Sequence, residues 1–237
     1  MPSNLRIFTE RFSFLYTTSS WRSSFGHVTL QADYNSVIAL PATFDFACIS
    51  NGAQPIHALT SSYVDRLRAD VTIWKRILGV RGAAHSPEAA LTEGIAPGHC
   101  WAFPGFQGQL GINLSHPVHV TGITVLHTSD PTLKQSAPRN LVLWGLLEKN
   151  RTSHCQAITT AGPLIPMFGP NHVGVQLLSA VFDGTSASLN QSFAANAMAR
   201  ACDIPFQLVV VQILGNWGKQ EHTCVYRLQV HGNTWES

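Results

Sequence analysis

Along much of this chain apolar residues recur at every second position. Leu110, Ile112 and Leu114 alternate with their neighbours, and so do Ile123, Val125 and His127, and again Val173, Val175 and Leu177. Successive side chains of an extended strand point to opposite faces, so a period of two predicts half-buried strands. Leu141 to Leu147 and Phe206 to Leu214 are unbroken apolar runs of strand length, and clusters of Gly, Pro, Asn and Ser separate the runs. Seven or eight such strands from Gly98 onward predict a mainly β chain, an antiparallel β-sandwich or jelly roll. From His222 to Val230 the alternation is strict, which predicts one strand with His222, Cys224, Tyr226, Leu228 and Val230 on a single face. A cysteine, a histidine and a tyrosine on a mostly apolar face mark a candidate site rather than plain core.

One segment has a different period. In Tyr63 to Val80, Val64, Leu67, Val71, Trp74, Ile77 and Leu78 recur at three- and four-residue steps, opposite Asp65, Arg66, Arg68, Asp70, Lys75 and Arg76. That spacing predicts an amphipathic helix. Its plain role is a surface helix packed on the domain; the sharper one is a mobile element covering a partner. Residues 1–43 are heterogeneous, with a Ser/Thr-rich patch at Thr17 to Ser24, one strand candidate at His27 to Leu30 and no sustained heptads. They read as a loosely ordered extension ahead of a domain at 44–233.

Charge narrows the function classes. Charged residues make up 12% of the 237 and the net charge is +2, against a globular norm of ~25% charged. A weakly charged surface suits an assembly or a protein-binding face, and the lack of Lys or Arg runs argues against nucleic acid. No stretch of 18 apolar residues is present, so no span or secretory leader is visible. HExxH, GxSxG and the phosphate-binding loop are missing, and the GxxGxxG of Gly105, Gly108 and Gly111 reads as turns beside Phe106 rather than a dinucleotide fingerprint. The five cysteines form no CxxC pair. Cys100 and Cys224 are candidates for a bridge, each lying beside aromatics in a distinctive block, though two buried free thiols fit the same pattern. Three N-x-S/T triplets occur, at Asn113, Asn150 and Asn190. His127 ends an alternating strand before a polar loop, Thr128 to Arg139; with Ser136, His222 and Tyr226 it could supply donors to an anionic group such as a peptide C-terminal carboxylate.

The segments NGAQPIHALTSSY (51–63), PGHCWAFPGFQGQLGINLS (97–115), TGITVLHT (121–128), SAPRNLVLWG (136–145) and the NWG…TCVYR…VHG tail resemble, in order, the SUN domain, the lumenal module of the nuclear-envelope LINC bridge. The resemblance covers about 44–232 and marks the chain as a divergent member. It implies a non-enzymatic homotrimeric β-sandwich that binds the C-terminal tails of KASH proteins and links nucleus to cytoskeleton. It places the carboxylate pocket at His127, Ser136 and Tyr226, with His222 where the family has a further tyrosine; a histidine there would make binding pH-sensitive. It also implies a Cys100–Cys224 disulfide, and a structural K+ or Na+ held by backbone carbonyls in the loop from about Ala89 to Cys100, at Ala89, Thr92, Gly94 and His99, with no metal site built from side chains and no other cofactor. Thr60 stands where some members carry a cysteine that cross-links the tail, so no covalent link is expected. The lid, roughly Ser61 to Ser86, reads helical, with Val64, Leu67, Val71 and Trp74 on its covering face. The implied location is the perinuclear side of the inner nuclear membrane, reached only through an anchor not seen in this sequence; without the family's coiled coil, a lone domain is expected to bind more weakly. Two other roles remain: a SUN-like lumenal helper in membrane-protein folding, and a carbohydrate module with Trp101 and Phe103 at its mouth.

Overall fold

The computed structural model describes residues 44–63, 86–148, 172–188, 190–201 and 203–234. The extension 1–43 and the lid positions Val64, Leu67, Val71 and Trp74 lie outside the described residues. In chain order the strands are β1 (Gln54–Pro55), β2 (Trp101–Pro104), β3 (Gly108–Leu126), β4 (Asn140–Glu148), β5 (His172–Val181) and β6 (Asn190–Ala194). A short helix, α1 (Ala197–Ala201), follows, then β7 (Phe206–Ile213), β8 (His222–Val225) and β9 (Arg227–Thr234). Every described pairing is antiparallel.

The alternations at Leu110 to Leu114 and Ile123 to His127 belong to one 19-residue strand, β3. Its first part pairs with β1 and β7, and its last part pairs with β6 and β9. Register shifts at Asn113/Val118 and Val120/Gly122 divide the two. Such bulges bend a strand, and a bent strand can serve two layers. The order β1-β3-β7-β4-β5 forms one layer, and β6 and β9 flank the far part of β3 in the other. Leu110, Ile112, Leu143 and Val211 of the first layer and Ile123, Val125, Phe193, Leu228 and Val230 of the second share one buried cluster. The fold is therefore the β-sandwich that the alternation predicts.

The unbroken apolar runs have a simple cause. Leu141, Leu143 and Leu147 of β4 face the central core. The intervening Val142, Trp144 and Leu146 form a second buried cluster with Val210 on the sheet's outer face, where Trp144 Nε1 donates to Gln212 Oε1 at 3.0 Å. Both faces of β4 are covered, so the period-two signal disappears. Gly145 sits between these positions, and a β-carbon added there would come within 2.3 Å of the Phe206 ring. Gly145→Ala is expected to cost about 1–3 kcal/mol by overpacking, measured by urea unfolding; an unchanged midpoint would show that Phe206 moves aside freely.

The tail differs from its expected single strand. β8 ends at Val225 and β9 starts at Arg227, with Tyr226 between them. β8 pairs with β2 in a separate two-stranded sheet, whereas β9 pairs with β3. The alternation of residue types runs across the break although both faces are buried there, and the chain changes partner at Tyr226. The common face therefore divides: Cys224 and Tyr226 pack in one cluster, Leu228 and Val230 in the central core. In the GxxGxxG, only Gly105 turns, at φ +72°; Gly108 and Gly111 lie inside β3.

Candidate functional site

The site is built on the small sheet. Residues 100–104 and 222–226 expose alternate positions to opposite sides. Trp101, Phe103 and Val225 enter the central core, while Cys100, Ala102, Cys224 and Tyr226 form a cluster on the other face against Ile95 and Leu133. On that second face Cys100 and Cys224 are joined in a disulfide with Cα atoms 5.7 Å apart, inside the ordinary range for a bridge. Trp101 and Phe103 are fully buried, so they cannot serve as the mouth of a carbohydrate site. Thr60 Oγ1 is held by the Ile56 carbonyl and the Gly111 N–H.

Leu133 belongs to a 3-10 turn, Pro131–Ser136, inside the polar loop. Asp130 caps it, accepting from Thr132 N at 2.9 Å and Thr132 Oγ1 at 2.7 Å, with Pro131 at the first position. Those bonds hold the Asp130 carboxyl below its usual pKa. At the far end Ser136 is buried and its hydroxyl donates to the Leu133 carbonyl at 2.8 Å. The hydroxyl proton is thus engaged locally, and its lone pairs are what it can offer a ligand.

His127, at the end of β3, is buried, with Nδ1 3.2 Å from the Thr128 carbonyl. A carbonyl only accepts, so Nδ1 bears the proton and the neutral ring presents a lone pair at Nε2. Nε2 is buried and has no partner among the described residues. The ring meets Tyr226 edge-on, centroids 4.9 Å apart, and Phe182 at 6.1 Å. Burial pushes the imidazole below its ordinary pKa; the Thr128 carbonyl opposes this and Lys134 adds to it. The Tyr226 hydroxyl accepts from Gly98 N at 3.3 Å. Burial raises its pKa, the Gly98 bond lowers it and Asp130 raises it, so it stays protonated and able to donate.

The structure thus brings His127 and Tyr226 into contact, with Ser136 on the adjoining turn. His222 lies at the other end of β8, opposite Pro104, its carbonyl accepting from Asn216 Nδ2 at 3.3 Å. Two features escaped the sequence. Lys134 lines with His127, Ser186 and Ser188 a hollow of about 10 Å3, room for about one water, and forms no ion pair among the described residues. Its period gave no signal because it lies in a turn. A cleft of about 350 Å3 at the bend of β3, lined by His119, Arg200, Asp203 and Phe206, shares no residue with this site.

The second feature concerns the carbonyl loop. Pro87–Leu91 is a 3-10 turn, and Thr92 Oγ1 donates to the Glu88 carbonyl at 2.8 Å. Arg227, directly after Tyr226, sends Nη1 to the Thr92 carbonyl at 2.5 Å and Nη2 to Asp45 Oδ2 at 2.8 Å. A cation on the Thr92 carbonyl would sit beside this fixed positive charge, so Thr92 fits poorly in the implied ligand set. Ala89, Gly94 and His99 are unaffected by that argument. Among the described residues no three His, Cys, Asp or Glu side chains gather to hold a metal, and no helix is long and apolar enough to cross a membrane.

Among curated proteins, human SUN domain-containing protein 1 is 33% identical over 63% of this chain and 17% of its own length. The Drosophila melanogaster Klaroid protein is 31% identical over 79% and 17%, and mouse SUN domain-containing protein 3 is 28% identical over 79% and 52%. The chain therefore spans between about a sixth and a half of these relatives. Solved structures give looser likenesses. A family 32 carbohydrate-binding module of Clostridium perfringens has a TM-score of 0.48 at 11% identity, covering 81% of this chain and 95% of its own, and Saccharomyces cerevisiae allantoicase has 0.48 at 14%, covering 83% and 45%. At such scores neither bears on function. The family model for the Sad1/UNC-like C-terminal region matches residues 81–161 and 176–234, more than half of the chain, and on that match the chain belongs to the Sad1/UNC-like family as a SUN domain protein.

Proposed function

We propose that this SUN domain is a non-enzymatic tether that binds a KASH protein's C-terminal tail in the perinuclear space, linking nucleus and cytoskeleton, with the tail's terminal carboxylate received beside His127 and Tyr226. What supports the reading above all is the buried, unpartnered Nε2 of His127 next to the Tyr226 ring. A buried polar atom without a partner costs free energy that a ligand can recover, here once Nε2 carries a proton for the carboxylate to accept. Tyr226 supplies a hydroxyl proton, and Lys134 supplies a positive charge in the hollow that His127 lines together with Asp183. Trimerisation, location at the inner nuclear membrane through an anchor outside this sequence, and a K+ or Na+ on the Ala89, Gly94 and His99 carbonyls belong to the same proposal.

The tautomer fixes how pH acts. A carboxylate facing the Nε2 lone pair is repelled, so binding requires a second proton on the ring. Burial holds the free ring neutral, and the bound carboxylate raises its pKa, so binding takes up a proton. Affinity for a KASH-type peptide is then expected to rise as pH falls through the usual histidine range, by at most about tenfold per pH unit for one linked proton. His127→Gln should abolish this slope and His222→Tyr should leave it, which assigns the pH dependence to His127 rather than to His222. Lys134→Ala should weaken binding at every pH. The decisive measurement compares titrations of peptides with free and amidated C-termini; equal affinities would overturn the carboxylate reading.

A further inference from the structure

We infer that Asn190 is an N-linked glycosylation site placed at the rim of the proposed tail-binding site. The three Asn-x-Ser/Thr triplets are not equivalent. Asn150 lies outside the described residues. Asn113 is inside β3, opposite Gln54 of β1 and Leu208 of β7, so strands flank it on both sides. Its side-chain oxygen accepts from Gln207 Nε2 at 3.0 Å. A glycan there would have to displace the sheet. Asn190 is exposed and is the first residue of β6, just after the polar turn that contains Ser186 and Ser188. β6 is an edge strand among the described residues, where it pairs only with β3. Asn190 lies opposite Leu126, next to His127, so a glycan would stand beside the hollow without filling it.

Two physical arguments favour that position. An edge strand is a template for unwanted pairing, and natural proteins block such edges; a bulky, hydrated glycan at its first residue does so. A chain with only 12% charged residues also gains solubility from it. The chemistry needs a lipid diphosphate-linked oligosaccharide as donor. Asn190 Nδ2 forms the bond to the sugar's anomeric carbon, the sugar–oxygen bond breaks, the lipid diphosphate leaves with the electron pair and the amide loses one proton. In the folded domain the triplet's hydroxyl, Ser192 Oγ, is bonded to Thr124 Oγ1 at 2.8 Å. Transfer therefore precedes the docking of β6 on β3.

The inference rests on the lumenal location in the proposed function. The test is the full chain behind a cleavable secretory leader in eukaryotic cells, with glycosidase-sensitive mobility and Cys100–Cys224 oxidation both recorded. We expect a one-glycan shift that Asn190→Gln removes, that Ser192→Thr keeps, and that persists when Asn113 and Asn150 are both changed to Gln. A formed bridge with Asn190 unmodified overturns the inference and leaves the lumenal reading standing. A glycan with the bridge absent supports the inference and counts against the lumenal disulfide. Neither modification overturns both.

Discussion

The Cys100→Ala/Cys224→Ala double variant is expected to lose about 5 kcal/mol of unfolding free energy, the loop-closure entropy that a cross-link of this span removes from the unfolded chain. The bridged residues are 124 apart in sequence, which puts the effect near the upper end for a single bridge. Total stabilities of domains run only to roughly 5–15 kcal/mol, so the variant should be close to unfolding at physiological temperature. The loss has a local side as well. Both sulfurs pack in the cluster with Ala102 and Tyr226, and among the described residues the strand pair β2–β8 makes no ladder with the main sheet. Loosening that pair would free Tyr226 from His127. Urea unfolding of oxidised and reduced protein, beside the double variant, measures the effect; coinciding midpoints would show that the bridge contributes nothing.

Asp45→Ala is expected to cost about 3–5 kcal/mol, because it leaves the buried Arg227 guanidinium without its anion. The side chains are 9% and 8% exposed and meet at 2.8 Å. Asp45 Oδ1 also accepts from Ala47 N at 3.0 Å and Val230 N at 3.2 Å, so one carboxylate ties the start of the domain to β9. Burial nevertheless raises the Asp45 pKa, outweighing those two bonds and Arg227. Desolvation therefore outweighs the attraction on the carboxylate, and replacing both partners, as Asp45→Leu/Arg227→Met, should cost far less than either single change. A double variant as unstable as Asp45→Ala alone would sink this account.

The same shifts set the acid response. Because Asp45 is raised, its contribution is fullest below its ordinary value of 3.8 and is lost as pH rises through its folded value. His127 and His231 are lowered by burial, so their contribution is present above the ordinary 6.5 and is lost as pH falls through their folded values. Acidification below about pH 6.5 should therefore lower the thermal midpoint through the histidines, and His127→Gln should reduce that drop.

The parts of this protein visible in its sequence are those with a local period. Leu110 to Leu114, Val173 to Leu177 and the runs in β4 and β7 identify strands because alternation records which face each strand buries. The family blocks add the Cys100–Cys224 pairing, since they keep residues in order that no periodicity could bring together. His127, Ser136 and Tyr226 come from the same source; no spacing in the chain joins a strand end to a tail residue so far along it.

The sequence by itself determined an antiparallel β-sandwich of the SUN family, and its family blocks implied the Cys100–Cys224 bridge. Tertiary structure alone decided the rest. Whether Leu110 to Leu126 was one strand or two depended on partners on both sides of a bend, and the break at Tyr226 on a change of partner that leaves the alternation intact. The Arg227–Asp45 clamp joins residues 182 apart, and the Nε2 lone pair of His127 depends on a single carbonyl at 3.2 Å. Alternation records burial, which is a property of each residue, whereas partner, tautomer and ion pair are properties of two groups that meet only when the chain is folded.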